Sequence, residues 1–142
     1  MPDSRHSVSV AGVVVDDRRR ALLIQRRDNG HWEAPGGVLE RDEDIISGLK
    51  REVLEETGLH VTPTALTGIY KNMARGIVAL VFRCTVEGGT LTPSDESKDF
   101  RWASAEEVKH LATEAFAIRV LDALSDLPTV PIRRHDGVHL IP

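Results

Sequence analysis

The sequence predicts a layered domain of mixed α/β (α+β) class. Three observations lead there. Apolar runs of strand length recur through the first two thirds of the chain, three segments carry helix start and stop signals, and no Pro/Gly/Ser-rich linker or solenoid-length repeat interrupts the 142 residues. A single domain over 1–142 is expected, with 126–142 as a C-terminal tail. A chain of this length buries about two thirds of its unfolded surface.

Val8 to Val15 and Ala21 to Arg26 read as strands, joined by the charged turn Asp16-Asp17-Arg18-Arg19-Arg20. That turn reads as solvated, although its arginines have the chemistry to touch phosphate. The segment Asn29 to Gly37 is a loop by composition: Pro35 biases Ala34 toward extended geometry, and two glycines follow. A helix comes next, with Asp42 as N-cap, Glu43 and Asp44 in the first turn, and Gly58 at the C′ position. Further strands are expected around Val61–Tyr70 and Ile77–Val86, with Gly88-Gly89 as a turn. Ile77 to Phe82 suits core or homodimer contacts equally. A short strand at Phe100–Trp102 leads to Ser104, the N-cap of a helix to about Leu111. The last helix runs from about Thr113 to Ser125, with Phe116, Val120 and Leu124 on one face.

Bulk chemistry narrows the function classes. A net charge of −4 argues against a broad nucleic-acid-binding face, because phosphate neutralisation needs excess Lys and Arg. It leaves room for a small phosphorylated ligand carried with a metal ion. The single cysteine, Cys84, shares a strand face with Leu80 and Phe82 and reads as a core residue; one cysteine suits a reducing compartment. The Val8–Val15 run is too short to span a bilayer and lacks a charged leader and cleavage site, so a cytoplasmic protein with no membrane association is expected.

The helix carries the chemistry. At about 100° per residue, Glu52, Glu55 and Glu56 fall within roughly a 100° arc. Like charges at that spacing repel, and the adjacent stripe Ile45, Ile46, Leu49 and Val53 puts them at the edge of the core. A hard divalent cation resolves the conflict; a solvated acidic face is the alternative. Neither an H-E-x-x-H zinc pattern nor a Walker A run is present. In the tail, Arg133-Arg134-His135-Asp136-Gly137 has the residue types of a phosphate contact or a His–Asp pair, against a plain polar turn.

Gly37, five residues, Glu43, seven residues, then Arg51-Glu52-Val53-x-Glu55-Glu56-x-Gly58-Leu59 resembles the Nudix box (37–59) at every defining position. Seven fixed residues at about 7% background each match by chance on the order of once in 10⁸ starting points. Leu22–Arg26, Trp32–Gly37 and Glu96–Val108 are similar to the flanking strand, loop and late elements of that family.

The resemblance implies a Nudix-type α/β/α sandwich with a mixed, partly parallel sheet between helices. It implies a Mg²⁺-dependent hydrolase, with Mn²⁺ able to substitute, that cleaves the pyrophosphate linkage of a small nucleoside diphosphate derivative: a nucleoside triphosphate, a nucleotide sugar or ADP-ribose. Carried over by position, Gly37, Glu52, Glu55 and Glu56 hold metal. Arg51 orients a catalytic glutamate, and Glu43, at the start of the helix, acts from behind the metal ligands or through water. Glu52 is the first choice for general base and Glu96 the competitor. Arg26 is a candidate phosphate contact. Trp32 is a candidate for stacking on a base, with packing against the loop as the alternative. A non-catalytic nucleotide-binding module is the rival reading; such a module is expected to lose box carboxylates, and all three are present here.

Overall fold

A computed structural model describes residues 3–142. Its elements are β1 (Ser7–Val14), β2 (Ala21–Arg26), β3 (Trp32–Glu33), β4 (Gly36–Val38), α1 (Ile45–Thr57), β5 (Leu59–Asn72), β6 (Ile77–Gly89), β7 (Ser97–Ala103), α2 (Ala105–Leu111), α3 (Glu114–Leu124) and β8 (Ile132–His135). The class is mixed α+β. Five strands form one sheet in the order β4-β1-β6-β5-β8, and three form a second in the order β3-β2-β7. The β1–β6 and β5–β8 pairs are parallel and the others antiparallel, so the larger sheet is mixed.

Period-2 alternation divides the core. From β1, Val10 and Val14 join Leu49 and Val53 of α1, while Ala11 and Val13 join Val120 and Ala123 of α3 on the opposite face. From β6, Leu80, Phe82 and Cys84 face α1, whereas Ala79 and Val81 face α3. Helices therefore cover both faces of the larger sheet. As an internal strand, β6 serves the core. Cys84 is fully buried, and burial pushes its thiol up to about 12, which makes it inert.

The structure corrects several expected boundaries. Asp44, not Asp42, caps α1: its carboxylate accepts from the Ser47 amide at 2.8 Å. Glu43 therefore lies before the helix. Ile45 and Ile46 are 40% and 39% exposed, because the first turn projects beyond the sheet that Leu49 and Val53 reach. The loop over 29–37 contains β3 and β4, whose pairing with β2 and β1 outweighs its turn-like composition. Gly88 and Gly89 continue β6 opposite His60 and Leu59 rather than turning, so the chain leaves that strand only after Gly89. Pro63 is accommodated inside β5 where the register shifts. The tail adds β8 to the sheet edge beside β5.

Candidate active site

The C-terminal half of α1 and the β7 approach bring three carboxylates together. Oxygens of Glu52, Glu56 and Glu96 all lie within 4.8 Å of one another. Leu49 and Val53 sink this side of α1 into the core, so Glu52 and Glu56 are only 8% and 4% exposed, while Glu96 is open to solvent. Gly58, with φ of 79° and its amide donating to the Leu54 carbonyl at 2.8 Å, ends the helix and turns the chain into β5.

Gly36 and Gly37 of β4 pair with Ala11 and Val10 of β1, which lays this backbone across the cluster. The Gly36 amide donates to Glu56 Oε1 at 2.7 Å. A Cβ at Gly37 would overlap the Glu52 carboxylate, so any larger residue here displaces that side chain from its present position. On the other side, the buried Ser97 hydroxyl donates to the Glu56 backbone carbonyl and contacts Ser94 Oγ at 2.8 Å. This clamp seats the loop that carries Glu96. Sequence reasoning missed Ser97; its only signal was adjacency to Glu96.

Arg51 organises the acidic side chains. Its Nε and Nη2 donate to Glu43 at 2.9 and 2.7 Å, and Nη1 donates to Glu52 Oε1 at 3.0 Å and Glu55 Oε2 at 3.2 Å. The guanidinium beside Glu43 holds that carboxyl down at about 2. Burial raises Glu52 above the ordinary carboxylate range, and Arg51 partly offsets the rise. Burial pushes Glu56 up to about 8; the Gly36 amide opposes this, and Glu96, Glu52 and Glu33 reinforce it. The Glu55 carboxylate, 58% exposed, faces Arg51 and stands outside the three-oxygen cluster.

A cleft of about 470 Å³ runs beside β4, with Arg26, Glu33, Gly36 and Gly37 in its wall. Arg26 donates to both oxygens of Asp28 at 2.9 and 2.7 Å and to Glu33 at 2.8 Å, so its charge is already matched. Trp32, opposite Gln25, turns to the other face of β3 and packs on the α3-side core, away from the cleft lining. In the tail, Arg133 donates to Asp122 Oδ2 and Oδ1 at 2.8 and 2.9 Å, and His135 accepts from the Gly137 amide rather than pairing with Asp136. The 16–20 turn is a polar hairpin in which Asp16 accepts from the Arg18 and Arg20 amides.

The buried carboxylate cluster fits a hard cation. Close-set oxygens, one carboxyl driven far above its ordinary value, and mutual repulsion without a protein cation on Glu56 together describe a donor set short of positive charge. A mixed sheet between helices, with two carboxylates of one helix and a third from the β7 approach gathered beside a glycine strand and a cleft, is an arrangement able to seat a cation next to a small anionic ligand.

A family model described as "NUDIX domain" matches residues 5–124, and the chain belongs to that family of hydrolases. It is 56% identical over 137 residues to a MutT-like protein of Streptomyces ambofaciens, covering 96% of this chain and 88% of that one. It is 35% identical to the human 8-oxo-dGDP phosphatase NUDT18 over 93% of this chain, which spans only 36% of that protein's length. The crystal structure of an ADP-ribose pyrophosphatase from Streptococcus suis superposes with a TM-score of 0.76 at 22% identity, covering 90% and 99% of the two chains, a likeness of fold alone.

Proposed function

We propose that this chain is a Mg²⁺-dependent pyrophosphohydrolase of a nucleoside diphosphate derivative. The observation that carries the reading is the Glu52–Glu56–Glu96 cluster, with the Glu56 carboxyl raised to about 8. The activity named for the NUDT18 relative, 8-oxo-dGDP phosphatase, lies within the same substrate class.

Glu52 and Glu56 are the proposed metal-holding side chains, with Glu96 and the Gly37 backbone beside them. Glu55 joins the set on the family resemblance, since its carboxylate faces Arg51. A bound Mg²⁺ supplies charge neutralisation on the diphosphate oxygens and a water of lowered pKa. Arg51 fixes the orientation of Glu52 and is itself fixed by the bidentate contact to Glu43. The Gly36 amide orients Glu56. Between the candidate bases, Glu52 has one oxygen engaged by Arg51, whereas Glu96 is solvent-exposed and returns a captured proton to water directly. That difference supports Glu96 as proton acceptor and Glu52 as ligand. Among the described residues no helix is long and apolar enough to cross a membrane, and a freely diffusing nucleotide is the proposed partner.

The test is phosphate or pyrophosphate release from nucleoside triphosphates, nucleotide sugars, ADP-ribose and dinucleoside polyphosphates, each with Mg²⁺, Mn²⁺ or EDTA. Metal-dependent cleavage of one class is the expected result. Silence across the panel with nucleotide binding retained supports the binding-module reading instead.

A further inference from the structure

Glu96 stands against a repulsion that its loop must resist. Its carboxylate lies within 4.8 Å of those of Glu52 and Glu56, and its charge disfavours ionisation of both. The repulsion acts outward: Glu52 and Glu56 are fixed on the buried side of α1, whereas Glu96 is exposed on the stretch between β6 and β7. Unanchored, the exposed member of such a set swings into water, where the repulsion is screened.

Anchors from two sides hold it. On the inside, the Ser97 hydroxyl reaches the Glu56 carbonyl of α1. On the outside stands Arg27, the residue after β2, whose amide donates to the Glu96 carbonyl at 2.9 Å and whose Nε donates to the Ser94 carbonyl at 2.7 Å. Arg27 thus grips a small turn at two points. Within that turn the Ser94 amide donates to the Ser97 carbonyl at 2.9 Å, and the Glu96 and Ser97 amides donate to Ser94 Oγ at 3.2 and 3.1 Å. The strand pairing puts Arg27 in place: Gln25 faces Asp99 and Arg26 faces Ser97, so Lys98 is left over as a bulge. A bulge bends its strand and re-aims neighbouring side chains, and this one adjoins the turn that carries Glu96. Arg27 itself is exposed and stands outside the cleft lining. Among the described residues no carboxylate pairs with its guanidinium, so the Ser94 carbonyl is what orders this side chain.

We infer that Arg27 is a positioning residue for hydrolysis, which fixes the Glu96 carboxylate beside Glu52 and Glu56 by holding the Ser94 and Glu96 carbonyls. This rests on the proposed hydrolase reading with Glu96 as proton acceptor. Losing one hydrogen bond in an exposed loop costs little stability, whereas moving a reacting group by about 1 Å lowers turnover by up to about 10²-fold. R27M keeps the backbone contact and removes the side-chain one, so its expected effect is a fall of about 10-fold in kcat with KM unchanged. R27K should recover most of that loss, because its ammonium can donate to the same carbonyl.

The test is a double-mutant cycle of R27M and E96Q, read as kcat and KM at saturating Mg²⁺ on the substrate that the release panel identifies. Amide exchange by NMR in the metal-free protein is measured alongside. R27M should lower kcat about 10-fold in the wild-type background and by less than about twofold in E96Q, where the group it positions is already disabled. Exchange at the Ser94, Glu96 and Ser97 amides should quicken roughly fivefold in R27M while the α1 amides stay as they are. An R27M effect that multiplies undiminished with E96Q, or that falls on KM, would make Arg27 a substrate contact and overturn the inference. Unchanged loop exchange, or unchanged kcat in R27M while E96Q is slow, would overturn it equally. Wild type without metal-dependent turnover sinks the hydrolase reading, and E96Q as fast as wild type sinks its proton acceptor. In either case the exchange comparison still upholds or refutes Arg27 as the fastener of the loop.

Discussion

Replacing Glu56 by Gln isolates the charge conflict at the centre of the site. Burial holds this carboxyl at about 8 against an ordinary 4.5. The folded chain therefore keeps a proton that the unfolded chain releases near pH 4.5. Between those two values the native state binds more protons, so metal-free stability is greatest at the acid end and falls as pH rises toward 8. At about 1.4 kcal/mol per pH unit, the loss reaches roughly 4 kcal/mol by pH 8. For a chain of this size that corresponds to a melting shift on the order of 10 °C. Gln cannot ionise, and its Oε1 still accepts from the Gly36 amide. Thermal melts of wild type and E56Q in EDTA should therefore diverge with pH, E56Q gaining on wild type by roughly 10 °C between pH 5 and pH 8. Groups common to both proteins cancel in the difference. Parallel curves across that range would refute the argument that Glu56 is desolvated and uncompensated without metal.

Three further outcomes follow from contacts around the cluster. G37A drives a methyl into the Glu52 carboxylate and should lower turnover by roughly 10²-fold while secondary structure by circular dichroism stays native. R51K loses the two-pronged contact with Glu43 and the hold on Glu52, so kcat should fall more than KM rises, and a preserved kcat would remove Arg51 from the positioning role. D122A strips the acceptor from the buried Tyr70 hydroxyl, at 2.7 Å, and from Arg133; urea unfolding should show a loss of about 3 kcal/mol with turnover of the surviving folded protein unchanged.

What was legible in the sequence was whatever is written in local spacing. Periodicity located α1, α2, α3 and the long strands, and the box residues fell on one helix end as their i, i+3 and i+4 spacing requires. What was not legible depended on partners far along the chain. Asp42 and Asp44 are equally good caps by type, and the Ser47 amide decides between them. Asparagine, glycine and proline suggested a loop over 29–37, yet pairing with β1 and β2 makes strands of β3 and β4. Glu55 has the spacing of a cluster member, but Arg51 at i−4 draws its carboxylate aside. Glu96 reaches Glu52 and Glu56 across some 40 positions through the Ser97 clamp, which no window of sequence displays.

The most direct test is the steady-state turnover of E56Q against wild type at saturating Mg²⁺, on the substrate that the release panel identifies. A fall of roughly 10²–10⁴ in a folded variant is the result predicted for loss of a metal-holding carboxylate. Turnover within a few-fold of wild type would contradict the carboxylate cluster as the seat of hydrolysis.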